Sequence, residues 1–156
     1  MPKPAESLKL LDRWVGTWTT EATHPAMPGL VVHGTAVVEW LEGQKFLIHR
    51  ARTDHPDFPD SISILGFTER DRVGERSNAG ESRLEMHYYD SRGVHRVYDF
   101  EASENTYHIA RPAPGLSQRF TGKLIDGGNT IDGLWQMCED DVTFHDDLKI
   151  VYRRGA

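Results

Sequence analysis

From Gly16 to the C-terminus the chain is a succession of short segments rich in Val, Ile, Thr, Tyr, Phe and Trp, each cut off by Gly, Pro, Asn or Asp. Such runs read as β-strands bounded by turns. The pattern predicts strands at 16–24, 31–41, 45–54, 61–70, 83–89, 94–102, 105–111, 116–125, 129–137 and 142–153. Most gaps are two to five residues long. Gaps that short join antiparallel neighbours by hairpins and leave no room for helical crossovers. The exception is DRVGERSNAGES (71–82), charged and containing glycine, which we expect to be a mobile excursion between strands. One helix precedes all of this, at 5–14: Pro4 suits a first turn, Glu6 complements the helix dipole, and Leu8, Leu11 and Trp14 recur at three-residue spacing.

About ten sequential antiparallel strands, with little helix to cover a flat sheet, must still bury one face. Closure into an up-and-down barrel does this and removes the exposed edges, whereas a Greek-key sandwich needs longer crossing connections. The expectation is therefore an all-β fold, an antiparallel up-and-down barrel over residues 1–156 closed by a short N-terminal helix. A barrel of that size has more interior than its own side chains easily fill, so a cavity follows.

Composition narrows the function classes. Eighteen Lys plus Arg against 24 Asp plus Glu give a net charge of −6, which argues against nucleic acid and membrane surfaces as partners. The lone Cys138 forms no internal disulfide and the start MPKPAESLKLL lacks a secretory core, so a cytoplasmic location is expected. A homodimer stays open. No nucleophile elbow, phosphate-cradling glycine loop or dinucleotide fingerprint occurs. Eight histidines invite a metal test, but no His-x-His or helical zinc spacing is present, and only His87 and His95 could meet across a hairpin. No metal site is expected.

The first strand opens Gly16-Thr17-Trp18 directly after the helix, and the last ends Tyr152-Arg153-Arg154. This resembles the closure of lipocalin and fatty-acid-binding barrels, where a Gly-x-Trp lies against a basic residue of the last strand. The resemblance implies a structural closure from Gly16, Trp18 and Arg153. More narrowly, LDRWVGTWTTEATHP (11–25), VVHGTAVVEWLEGQKFLIHR (31–50), YYDSRGVHRVYDF (88–100), GLSQRFTGKL (115–124) and DDLKIVYRR (146–154) are similar to the nitrobindin-related branch and to short bacterial lipocalin-like proteins beside it. Nitrobindins hold haem through a His of the last strand, and this chain has Asp147 there. A carboxylate replaces imidazole poorly as a lone haem ligand. No cofactor is expected, with haem through His145 as the alternative.

Candidate binding residues follow from strand parity. Val32, Gly34, Ala36, Val38 and Trp40 share one face, which suits a cavity wall ending in an indole. One of His49 and Arg50 points inward and needs a partner, with Glu39 and Asp147 available as Glu39/Arg50 or His49/Asp147 pairs. Those pairs read as structural bridges, ligand anchors or an acid/base couple. One of Tyr88 and Tyr89 faces inward with its phenol, and Gln118 does so if Phe120 and Leu124 do. The reading is a barrel that binds a small, mostly hydrophobic molecule at Trp40, His49, Arg50, Tyr88, Tyr89, Gln118 and Asp147. The rival is an isomerase, cyclase or hydrolase working in the same cavity around Asp147.

Overall fold

The computed structural model describes residues 4–68 and 83–155. The expected excursion at 71–82 lies outside them. The helix forms as expected but divides: α1 runs Pro4–Leu11, and Asp12–Trp14 tightens into a single 3-10 turn. Ten strands follow: β1 Gly16–Thr23, β2 Val32–Trp40, β3 Phe46–Thr53, β4 Ser61–Thr68, β5 Arg83–Asp90, β6 His95–Ala102, β7 Thr106–Arg111, β8 Ser117–Ile125, β9 Thr130–Cys138 and β10 His145–Arg154.

Each strand pairs antiparallel with its sequence neighbours, and β1 pairs with β10, from Trp18 opposite Arg154 to Thr23 opposite Lys149. The sheet is thus a closed barrel. Closure leaves no strand edge to template pairing with another chain. One irregularity interrupts it, a register shift in β10 between Asp146 and Lys149.

Strand direction alternates, so all helix-side strand ends gather at one rim, which we call the closed end. The turns 24–31, 54–60, 91–94, 112–116 and 139–144 gather at the other, open end. Alternation of burial fixes the inner face. In β1 it holds Trp18, Thr20 and Ala22, and in β2 Val32, Gly34, Ala36 and Val38, while the residues alternating with them are exposed.

The closed half is solid. Leu11 and Trp14 from the helical segment meet Trp18, Val38, Leu47, Leu65, Phe100, Tyr107, Ile131 and Tyr152 in one buried cluster. Trp14 is its hub, with its ring 5.0 Å from His49, 5.5 Å from Tyr107 and 6.2 Å from both Phe100 and Tyr152. Aromatic side chains carry the largest burial per residue, so a few of them plug the barrel. The Tyr107 hydroxyl then donates to the Leu10 carbonyl at 2.8 Å and ties the helix to the wall. The expected cavity therefore does not run the length of the barrel.

The closure expectation is corrected by one residue. Arg154, not Arg153, crosses the closed end, its guanidinium 4.2 Å over the Trp18 ring. It donates to the Val15 carbonyl at 2.7 Å, to that of Arg13 at 2.6 Å and to that of Gly128 at 3.3 Å. Residue 153 has the opposite parity: Arg153 faces solvent and pairs with Glu21 at 3.3 Å. The Trp18 indole donates to the Trp14 carbonyl at 2.9 Å. Gly16 completes the arrangement, because its φ of +142° and a Cβ only 2.6 Å from Arg154 Nη1 would both resist any side chain.

Candidate functional site

Toward the open end the inner wall changes character. From β5 to β10 its inward-facing residues are half-buried, whereas Ala22, Val32 and Ser63 on the other strands stay buried: Tyr88 on β5, Arg96 on β6, Arg111 on β7, Gln118 on β8, Trp135 and Met137 on β9, and Ile150 on β10 are the half-buried ones. Solvent reaches the inside of this half, and the packed aromatics below form its base. Two surface clefts lie elsewhere, one along the helical segment at Glu6, Lys9, Leu10, Asp12 and Arg13, the other at Phe46, Ile64, Gly66, Phe67, Thr68, Glu85 and His87.

Parity resolves the tyrosine pair. Tyr88 points in, cross-strand from Ser63 and Arg96, and its hydroxyl donates to Asp90 Oδ2 at 2.7 Å. Burial, then the bond to Asp90 and its charge, push the Tyr88 phenol well above its ordinary range. Tyr89 points out and stacks on His95 at 4.5 Å. It stands on the outer wall, which corrects its place among the inward-facing binding residues. Burial raises the Asp90 carboxyl, but hydrogen bonds from Arg92, Tyr88 and the Arg92 backbone overcome it and hold the group below the usual carboxylate range.

Gln118 faces in, with Phe120 and Leu124 on the same side of β8. Its Oε1 accepts from the Tyr98 hydroxyl at 3.1 Å and from Arg96 Nη1 at 3.3 Å. The second bond reaches across β7 on the inside of the barrel. Arg111, directly opposite Gln118 in the ladder, donates to the Leu116 carbonyl at 3.3 Å. Tyr98 is deprotonated less readily than a free phenol because it is buried; Arg96 and Arg111 both pull the other way, which places their fields at this hydroxyl. Trp135, 5.6 Å from Tyr98 and 5.1 Å from Phe120, supplies the apolar counterpart.

The remaining candidates lie elsewhere. Arg50 faces solvent and pairs with Glu39 at 2.5 Å on the outer wall, both side chains about half exposed. It therefore leaves the binding set. Trp40 faces in but at the closed end, where its indole donates to Asp12 Oδ1 at 2.8 Å and the ring packs on the core. His49 is buried in the plug, 3.1 Å from the Tyr152 hydroxyl, and burial lowers its pKa to about 4. Two polar atoms of this plug, Trp14 Nε1 and His49 Nδ1, have no protein partner among the described residues. Sequence parity could not see the Tyr152 partner, because the barrel curvature brings it from seven strands away.

Asp147 meets neither His49 nor Arg50. It lies at the open rim, 2.6 Å from His24 Nε2. His24 Nδ1 accepts the Ala26 N–H at 3.0 Å, so Nε2 carries the proton and donates to Asp147. Both imidazole nitrogens are thus engaged in hydrogen bonds. His145 is half exposed and 3.8 Å from Glu139. A haem held from this wall needs a neutral imidazole with a free nitrogen; Asp147 is a carboxylate and both nitrogens of His24 are hydrogen-bonded, so neither fits that need. Among the described residues no group of three His, Cys, Asp or Glu side chains converges as a metal site, although the His87 and His95 rings do stack at 5.9 Å. Sequence reasoning missed Arg96, Arg111 and Trp135, yet their parity with Tyr98, Ile109 and Ile131 was readable.

No family model and no curated protein matches the chain. Among solved structures it is similar to Rv2717c from M. tuberculosis, at 15% identity and a TM-score of 0.63, covering 99% of this chain and 100% of that one. It is also similar to the S-type phycobiliprotein lyase CPES from Guillardia theta, at 8% identity and a TM-score of 0.52, covering 99% and 94%. At these identities the likeness is one of fold, and the protein is a ten-stranded calycin-like barrel.

Proposed function

We propose that the protein binds a small, mostly apolar molecule in the open half of its barrel. One observation carries this reading: on the wall from β5 to β10, inward-facing side chains are mostly buried toward the closed end but half-buried toward the open end, where Trp135, Met137 and Ile150 share the inner face with Tyr88 and Gln118. A concave wall of apolar area with a few placed polar groups is the usual make-up of a small-molecule site. Strand closure holds those groups on rigid elements, so the site is formed before a ligand arrives. Acid–base chemistry at Asp147 draws less support, since Asp147 is already hydrogen-bonded to His24 at the rim, apart from the half-buried polar groups of the inner wall.

Native mass spectrometry of the purified protein tests the reading. A co-purifying small molecule is expected, lost when Trp135 is replaced by Ala with the fold intact by circular dichroism. Retention of that molecule by the Trp135→Ala protein would put the ligand elsewhere.

A further inference from the structure

Arginines on a protein of net charge −6 have no shortage of carboxylates to pair with. Several of those described here are accounted for. Arg50 pairs with Glu39, Arg92 with Asp90 and Arg153 with Glu21, while Arg154 is held by three carbonyls, and Arg119 on the outer face of β8 donates to Gln136 Oε1 at 2.8 Å and lies 3.9 Å over the Phe144 ring. Arg96 and Arg111 differ. Both point into the open half of the barrel, both are half-buried, and among the described residues neither has a carboxylate within 4.0 Å.

Their neighbours do not compensate the charge. Asp90, the carboxylate closest in the ladder, is taken up by Arg92 at 2.7 Å and by Tyr88 at 2.7 Å. Asp147 is taken up by His24. Arg96 spends Nη1 on the neutral Gln118 and Arg111 spends Nη1 on a backbone carbonyl. Each guanidinium has five N–H donors in a fork that matches a carboxylate or phosphate, so most of their donors remain. A half-buried charge without a carboxylate gives up part of its hydration, and nothing in the hairpins requires it: Val97 and Ala110, one residue away, sit on the outer wall.

We propose that Arg96 and Arg111 together form the seat for the anionic head group of an otherwise apolar organic molecule. The inference deepens the reading above and rests on it. The class of ligand is an amphipathic organic anion, a carboxylate by the planarity of the two forks. The head group lies between β6, β7 and β8 beside Tyr98 and Gln118, and the body lies along Trp135, Met137 and Ile150. No bond is made or broken.

Isothermal titration calorimetry with decanoate and with 1-decanol, its neutral counterpart, tests this on the whole protein. Decanoate is expected to bind about 10- to 100-fold more tightly than 1-decanol, as charge-assisted hydrogen bonds allow, and to weaken with added salt. The double substitution Arg96→Gln and Arg111→Gln is expected to bring decanoate down to the 1-decanol level and leave 1-decanol unchanged. Arg153→Gln removes one positive charge from the outer wall and is expected to alter neither. Equal affinity of the unmodified protein for the two probes, or 1-decanol the tighter, overturns the head-group seat while keeping the apolar chamber. Should neither probe bind, the chamber itself falls. The comparison in the unmodified protein decides the matter even if the double variant does not fold.

Discussion

Two adjacent arginines with opposite fates show how much one step of parity matters. Arg154 lies in a cage of carbonyls from the end of the helical segment and from Gly128, groups that the turns leave without ladder partners. Replacing it by Met keeps bulk over Trp18 but leaves those carbonyls unpaired, so Arg154→Met is expected to cost about 2–4 kcal/mol in urea unfolding. Arg153→Ala removes only an exposed ion pair and is expected to cost less than about 0.5 kcal/mol. Similar losses for the two variants would contradict the closure geometry. From sequence both residues were equal candidates, because Tyr-Arg-Arg states that a cation ends the strand and not which one turns inward.

Among the elements, the β5–β6 hairpin is the best specified by its own residues. Asp90-Ser91-Arg92-Gly93 carries an Asp at the start and a Gly at φ +85°, as a tight turn with a left-handed last residue requires. The Gly93 N–H donates to the Asp90 carbonyl at 2.9 Å, and the Asp90 side chain accepts from the Arg92 N–H at 2.9 Å and from Tyr88 at 2.7 Å. Asp90→Ala is expected to cost about 1–3 kcal/mol through the lost bonds of a shielded carboxylate. Amide exchange of residues 95–98 should accelerate selectively; uniform acceleration around the barrel would mean that the turn does not hold this hairpin by itself. The strand runs were legible within a residue or two nearly everywhere. The largest miss, a last strand that starts at His145 rather than 142, follows from the Asp140 side chain, which binds the Val142 and Thr143 N–H groups and keeps them in the turn.

Whole-molecule stability should respond to pH through the plug. His49 is buried, and burial lowers its pKa from 6.5 to about 4. In the unfolded chain the imidazole takes up a proton near its ordinary value, whereas the native state refuses it until about pH 4. Native stability linked to this group is therefore full above about pH 7 and lost as pH falls toward 4, by about 3 kcal/mol. Between pH 7.5 and pH 4 the unmodified protein should lose about that much more unfolding free energy than His49→Gln. Parallel pH profiles would show that His49 is not the buried neutral group described here.

Strand count, the helix at the start, the hairpin turns and the antiparallel barrel were all written in local patterning, since turn chemistry and two-residue alternation act over a few residues. Tyr88, Tyr89 and Gln118 were named by the same logic, but alternation gives two faces without saying which is inside. Only closure decides that, because the seam between β1 and β10 fixes the register of every ladder around the ring. The partnerships of His49 with Tyr152 and of His24 with Asp147 were set the same way, across 103 and 123 residues of chain. Arg96 and Arg111, on the neighbouring strands β6 and β7, likewise became a candidate site only once closure showed which of their two faces is the inner one. Contacts across a barrel depend on how the sheet curls, and no local stretch of sequence carries that information.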